Sequence, residues 1–254
     1  MIATRGEEIL AQEARFLAAR SAMERGLYKS GLRYLTDLEQ HLPTVKHHIL
    51  SLRGYGYRNI GDWEKATHIW RNIIAENASE ELVGRAHFSI ADGYYARGLT
   101  EDAIQGYEIA LKKYPHHDAS SYARLALAML LEKTGDSEKA AAIYQFFVIK
   151  NPTHPLSNQA HTRLNQLTSE KRIPEILSKT WLKRAEKLLK RRSLTLAGHT
   201  LAKAKLTLEK EESQQEKYAF LTSLLHFRRG RFEKAKKGFM QLSESAQSSD
   251  DWYK

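Results

Sequence analysis

The residue types in this chain that could carry chemistry are its histidines and its lysine and arginine runs, because it contains no cysteine. Disulfides, thiolate metal sites and cysteine nucleophiles are thereby excluded. Among its 11 histidines, the pairs His47-His48 and His116-His117 are the first places to look for a metal site. Adjacent residues on a helix point about 100° apart, and neither pair has the i, i+4 histidine or the carboxylate companion that a zinc site uses. They read as histidines of loops or helix starts, and no metal and no cofactor is expected. No phosphate-binding glycine loop, Gly-x-Ser-x-Gly elbow or His-Glu-x-x-His is present. The expected role is therefore binding rather than catalysis.

Charge is the second source of chemistry. The formal net charge is +10, but it is unevenly placed: Lys171–Lys237 carries 19 Lys/Arg against 7 Asp/Glu, whereas the remainder carries 21 against 23. Lys183, Lys187, Lys190 and Arg191 share one helical face, and Arg228, Arg229, Arg231, Lys234, Lys236 and Lys237 cluster around a later turn. Such a patch would attract a polyanion, whether nucleic acid, anionic lipid or the acidic polymers of a cell wall. The alternative is a solvated helix surface that keeps the protein soluble. Aromatic residues interleave with these cations only at Trp181, Phe227 and Phe232, each at a position expected to pack between helices. Base stacking has little support, and nucleic acid ranks third among the partners.

The elements that must position these groups are read best at Gly98–Pro115. Gly98 can end one helix where φ > 0 is needed, Thr100 can cap the next, and Glu101 and Asp102 sit in its first turn, where the helix dipole favours acids. Ala103 must be small so that two helices approach, and Ile104, Tyr107 and Leu111 form a buried stripe. Pro115 stops the helix. The layout recurs. A first unit covers about 7–43, with Ile9, Phe16 and Ala19 on one face, a turn at Gly26, and Tyr28, Leu32, Leu35 and Leu38 continuing a second helix to Pro43. Further units turn at Gly61, Gly98 and Gly135, giving spacings of 35, 37 and 37 residues. A 42% apolar fraction with only 5 prolines suits an all-α array.

These spacings lie close to the 34-residue period of tetratricopeptide repeats, and the chain resembles a tetratricopeptide-repeat protein. The resemblance implies an all-α superhelix, a solenoid of antiparallel helix pairs, although most units lack the early tryptophan. The first helix of each unit would line the inner groove. That places His48, Ser51, Tyr55, Arg58 and Asn59 on the groove, then Arg85, Phe88, Asp92 and Tyr95, then Tyr122, Leu125, Met129 and Lys133, a mixed surface able to hold an extended peptide or helix. Leu125 and Met129 are expected to pack against neighbouring helices instead. The Lys/Asn carboxylate clamp of the chaperone-binding members would fall at Phe16, Ser51, Phe88 and Leu125, so that role is not expected.

Beyond Pro152 regularity weakens. Pro155–Thr168 reads as an additional helix, and Ser169–Pro174 as a boundary between a region of four repeats plus this helix (1–168) and a basic helical region (169–254). A fifth unit turns at Arg192, where glycine is replaced, with Ala197 retained. A sixth turns at Gly230, followed by Ala235, Phe239 and Leu242. Asp250–Lys254 resembles the start of a further helix, and the lack of a polar capping helix suggests that the chain is the N-terminal portion of something longer.

Gly238-Phe239-Met240-Gln241-Leu242 is similar to the Gly-Leu-Met-Gln element of lytic transglycosylases, but no catalytic Glu-Ser lies upstream and the segment fits the repeat register. The irregular repeats, Tyr144-Gln145-Phe146-Phe147 leading to Asn151-Pro152 and His154-Pro155, and the basic Arg184–Leu189 helix resemble the helical N-terminal region of soluble lytic murein transglycosylases. Envelope tetratricopeptide proteins show comparable turns. The resemblance implies a non-catalytic scaffold beside a separate catalytic domain, binding peptidoglycan or another polyanion in the periplasm or cell envelope. A stand-alone adaptor gripping a peptide of a partner protein, cytoplasmic in that case, is the competing reading. The N-terminus has charges throughout and reads as neither a secretory signal nor a transit peptide, and no run reaches membrane-spanning length.

Overall fold

A computed structural model describes residues 2–173, 176–208 and 211–247. Among these the regular structure is helical, without a strand. The chain forms two compact units, Met1–Leu127 and Ala128–Lys254. The first holds α1 (Ile2–Glu24), α2 (Tyr28–Tyr34), α3 (Leu38–His41), a 3-10 turn at Pro43–Val45, α4 (Lys46–Asn59), α5 (Trp63–Ala75), α6 (Glu80–Ala96) and α7 (Thr100–Lys113). The division falls within α8 (Ser120–Lys133). The second unit continues with α9 (Ser137–Lys150), α10 (Ser157–Ser169), α11 (Ser178–Lys190), α12 (Leu194–Leu206), α13 (Glu212–Arg228) and α14 (Phe232–Gln247). Ser169–Ile173 forms the turn that leaves α10; Pro174 and Asp250–Lys254 lie outside the described residues.

Helices pack chiefly with their neighbours in sequence: α4 on α5 and α6 on α7 in the first unit, α11 on α12 and α13 on α14 in the second. One turn closes most of these pairs. At the end of α6, Gly98 takes φ +73, its N–H donates to Tyr95 O and the next N–H, of Leu99, reaches Tyr94 O. These bonds satisfy carbonyls that the helix end leaves open, and they need a left-handed residue at the turn. Gly26, Gly61, Gly135 and Gly230 also have positive φ. At the end of α11 the same pair of bonds forms from Arg192 and Ser193, with Arg192 itself held at φ 58, so the fifth hairpin closes despite losing its glycine.

Some local expectations are corrected. Thr100 does not cap α7: Leu99 occupies the cap position without a side-chain bond, and the Thr100 hydroxyl donates back to Gly98 O over 3.4 Å. Caps are made by Asp62 and Asp136, which accept from Lys65 N and Lys139 N, each at 3.2 Å. The helix expected to run from Tyr28 to Pro43 breaks at Asp37, which takes φ 54. On either side of the break Leu35 and Leu38 are both fully buried and enter one core with Ala19, Met23 and Ile49. Ile9, expected on the buried face of α1, is 45% exposed.

Packing in the first unit centres on Trp70, Ile73, Leu82 and Ala86. Gly54 on α4 makes the approach possible, because a Cβ there would lie 2.6 Å from the indole nitrogen of Trp70. Ala103, Tyr107 and Ala110 are buried on α7 as their spacing requires. The second unit buries Tyr144, Phe147, Leu164, Leu167, Leu182 and Leu188. Each such side chain contributes about 1.5–3 kcal/mol relative to exposure.

Candidate binding sites

In the first unit, α1, α4 and α6 together enclose a depression of ≈ 440 Å³. Four of the expected groove residues, His48, Ser51, Tyr55 and Arg85, line it, joined by Phe16, Arg20, Met23, Glu24, Leu52, Trp70 and Ser89. The apolar floor comes from Phe16, Met23 and Trp70, while cations stand at the rim. Arg20 is paired with Glu24 at 3.1 Å and Arg85 with Glu81 at 2.7 Å, both i,i+4 contacts on exposed surface that an incoming carboxylate can compete with. Arg20 and Ser89 escaped the sequence reading, although they lie four residues after Phe16 and Arg85 and so share their faces.

Tyr55 is fixed at the edge of this depression. Its ring meets Tyr28 edge-on at 6.0 Å and lies 5.4 Å beneath the guanidinium of Arg58. Arg58 in turn reaches Asp92 at 3.4 Å, and Asp92 accepts from the Tyr107 hydroxyl at 2.7 Å. Burial raises the Asp92 carboxyl above its ordinary value, against the lowering effects of Tyr107 and Arg58. Burial and the Asp92 charge raise the Tyr107 hydroxyl as well. Arg58 and Asp92 thus brace each other across α4 and α6 rather than facing a ligand alone.

The other groove candidates are dispersed. Asn59 is exposed and donates to Tyr55 O, Tyr95 is 43% exposed and Tyr122 62% exposed. Lys133 is exposed at the end of α8, in the second unit. Phe88 is corrected: it is buried with its ring 5.2 Å from that of His117, so it packs inside the unit instead of lining the groove. Leu125 is buried, as expected for a packing residue.

In the second unit, Lys183, Lys187, Lys190 and Arg191 line a second depression of ≈ 630 Å³ with Phe146, Ile149, Lys150 and Glu186. The acid is already engaged: Glu186 accepts from Lys190 at 2.9 Å and meets Lys217 at 3.0 Å, contacts that hold its carboxyl below the usual range. Arg191 donates to Thr153 Oγ1. The remaining basic candidates behave differently. Arg228 donates to Leu189 O and Arg229 to Leu194 O at 2.8 Å, so both guanidinium groups tie α13 to the preceding hairpin while both residues stay exposed. Arg231 and Lys234 are exposed. Phe227 and Phe232, expected between helices, are 54% and 61% exposed and stack edge-on with each other at 5.7 Å.

His47 pairs with Glu76 at 3.0 Å beside Lys46, and among the described residues no three His, Asp or Glu side chains converge as a metal site would require. Among the same residues no helix is long and apolar enough to cross a membrane.

The tetratricopeptide-repeat model matches residues 52–118 and 88–155, so over this stretch the helix pairs are similar to tetratricopeptide repeats. A tetratricopeptide-repeat protein of Parabacteroides merdae has a similar structure: 16% identity, 92% of this chain and 93% of that one covered, TM-score 0.51. The apo form of RapI is similar at 12% identity, 94% and 84% coverage and a TM-score of 0.54. At such identities the likeness shows the fold, an all-α tetratricopeptide-like stacking of helix pairs. No curated protein matches the sequence.

Proposed function

We propose that this chain is a non-catalytic tetratricopeptide scaffold that grips an extended peptide of a partner protein in the depression between α1, α4 and α6. The observation that carries the reading is the convergence of Tyr55, His48 and Arg85 with Phe16, Trp70 and Arg20 around one ≈ 440 Å³ space. An apolar floor with a cationic rim suits a peptide that carries an aliphatic or aromatic anchor next to an acidic residue.

Selection from a displayed peptide library against the full chain tests this. Enriched peptides should share that anchor-and-acid pattern, and Tyr55→Ala combined with Arg85→Glu should weaken them at least about tenfold, the loss of one good anchor. Peptides that bind the double variant as tightly as the wild type would remove the depression from consideration.

The ≈ 630 Å³ basic depression on α9 and α11 supports a second activity of the same scaffold, retention of an anionic polymer, for which purified peptidoglycan is one probe. The matched proteins lend no support to a transglycosylase parent.

A further inference from the structure

Arg184 is an anomaly in the second unit. It is 3% exposed, and its Nε and Nη1 atoms are buried without a hydrogen-bond partner. Among the described residues no carboxylate is paired with it. A guanidinium stays charged at any physiological pH, and leaving it desolvated and unpaired is costly, whereas methionine or leucine would fill the same space without that penalty. Burial alone pulls its pKa down to about 10.

A second cation stands close by. Trp181, three residues before Arg184 on α11 and so on the same face, lies 5.2 Å beneath the ammonium of Lys203 from α12. Lys203 Nζ also contacts Asn165 Oδ1 and His161 Nε2, each at 3.2 Å, and the His161 ring meets Trp181 edge-on at 5.4 Å. Two of the three ammonium hydrogens are thus directed to α10, and one is left over. His161, caught between Lys203 and Arg184, is held neutral: burial first, then these two charges, push it down to about 4. Lys203, Asn165 and His161 are half-buried, whereas Arg184 is buried.

We infer that Arg184 and Lys203, oriented by Trp181, Asn165 and His161, form a site for a phosphate-type oxyanion enclosed by α10, α11 and α12. Two fixed positive charges with no acid between them match a divalent oxyanion, and the rigid donor fork of arginine suits its geometry. The site is separate from the exposed lysine face and independent of the peptide reading in the first unit.

The test is thermal unfolding of the full chain in inorganic phosphate against sodium chloride of equal ionic strength. Phosphate should raise Tm saturably, by about 3–6 °C at ten times Kd. Arg184→Met should lose this gain while melting within about 2 °C of the wild type in chloride, because an apolar isostere relieves the unpaired charge. Lys203→Gln, at a half-exposed position, is the second variant and should lose most of the gain. In the wild type, phosphate should also shift the Arg184 Nε–H resonance. O-phosphoserine separates the sources: a gain above that of phosphate identifies a phosphoryl group carried on a partner, an equal or smaller one the free anion. Acetate should give no gain. The proposal is overturned by an equal gain in wild type and both variants, which is what general salt exclusion produces. It is equally overturned by an equal gain with acetate, or by no phosphate effect and no resonance shift in the wild type.

Discussion

Arg163 donates from Nε to Glu132 Oε2 over 3.1 Å although the two lie 31 residues apart. Glu132 stands in the last turn of α8 and is only 6% exposed. Its carboxylate also accepts from the Tyr144 hydroxyl at 3.1 Å, and Arg172 reaches it at 3.6 Å while donating to the Glu132 backbone carbonyl at 3.0 Å. One buried acid therefore ties α8, α9 and α10 to the turn that follows. Burial and the Glu132 charge together raise the Tyr144 hydroxyl above its ordinary value, the mark of a dry, electrostatically tight site.

Removing that acid leaves the buried Tyr144 hydroxyl and the partly solvated Arg163 without their shared acceptor. Glu132→Ala should cost about 3 kcal/mol, near the lower end for breaking a buried ion pair, since Arg163 is partly solvated. Denaturant unfolding should show a lower midpoint. Glu132→Leu with Arg163→Met should recover much of the loss by replacing the pair with apolar volume. A Glu132→Ala variant as stable as the wild type would show that the network contributes no net stability.

Arg192 offers a prediction of opposite sign. It holds φ 58 at the turn where other hairpins place glycine, and a side chain in that conformation costs roughly 1 kcal/mol. Arg192→Gly should therefore stabilise the protein, by about 0.5–1 kcal/mol, while Gly98→Ala should destabilise it by about 1 kcal/mol. Gly98→Asn should fall between, because asparagine tolerates the left-handed region. Urea midpoints of the three variants check the order.

Acid should destabilise the second unit through His161. Its folded pKa of about 4 lies below the ordinary 6.5, so between these values the unfolded chain takes up a proton that the folded chain refuses. The stabilising contribution of the neutral ring is complete above about pH 6.5 and is lost as pH falls towards 4. The groups facing it are Lys203 on α12 and Arg184 on α11, with neutral Asn165 on its own helix. Allowing for its partial solvation, the difference in stability between wild type and His161→Gln should shrink by about 1–2 kcal/mol from pH 6.5 to 4.5. Parallel pH profiles of the two proteins would remove His161 as the cause.

The repeat was legible because its signals are local. Turn glycines 35–37 residues apart, a small residue such as Ala103 five places later and an aromatic such as Tyr107 at helical spacing each follow from the geometry of a single hairpin. What stayed hidden depends on partners far along the chain. Glu132 looks like a solvated helix-end acid until Arg163 and Arg172 are placed beside it. Arg184 reads as one more member of a basic run, yet it is buried. Phe88 failed as a groove residue because periodicity names a helical face but not how deeply the next unit covers it. Arg228 and Arg229 read as free cations until carbonyls of a preceding hairpin are placed within reach of one nitrogen of each. Tyr55, Arg85 and His48 line one depression because all three lie on the first helix of their units.

The exposed lysine face makes a prediction that separates it from the buried arginine. Lys150, Lys183, Lys187, Lys190 and Arg191 surround Phe146 and Ile149, and solvent screens their attraction for a polyanion. Binding of a fluorescent anionic polymer should therefore weaken steeply with salt, on the order of tenfold or more between 50 and 200 mM, if several cations act together. Lys183→Glu with Lys187→Glu should abolish binding at low salt and leave the unfolding midpoint nearly unchanged, because Lys183 is exposed and Lys187 is not fully buried. Arg184→Met should do the reverse, preserving the polymer contact while abolishing the response to phosphate. Polymer binding that is insensitive to salt, or that survives the double reversal, would show that the lysine face is only a solvated surface.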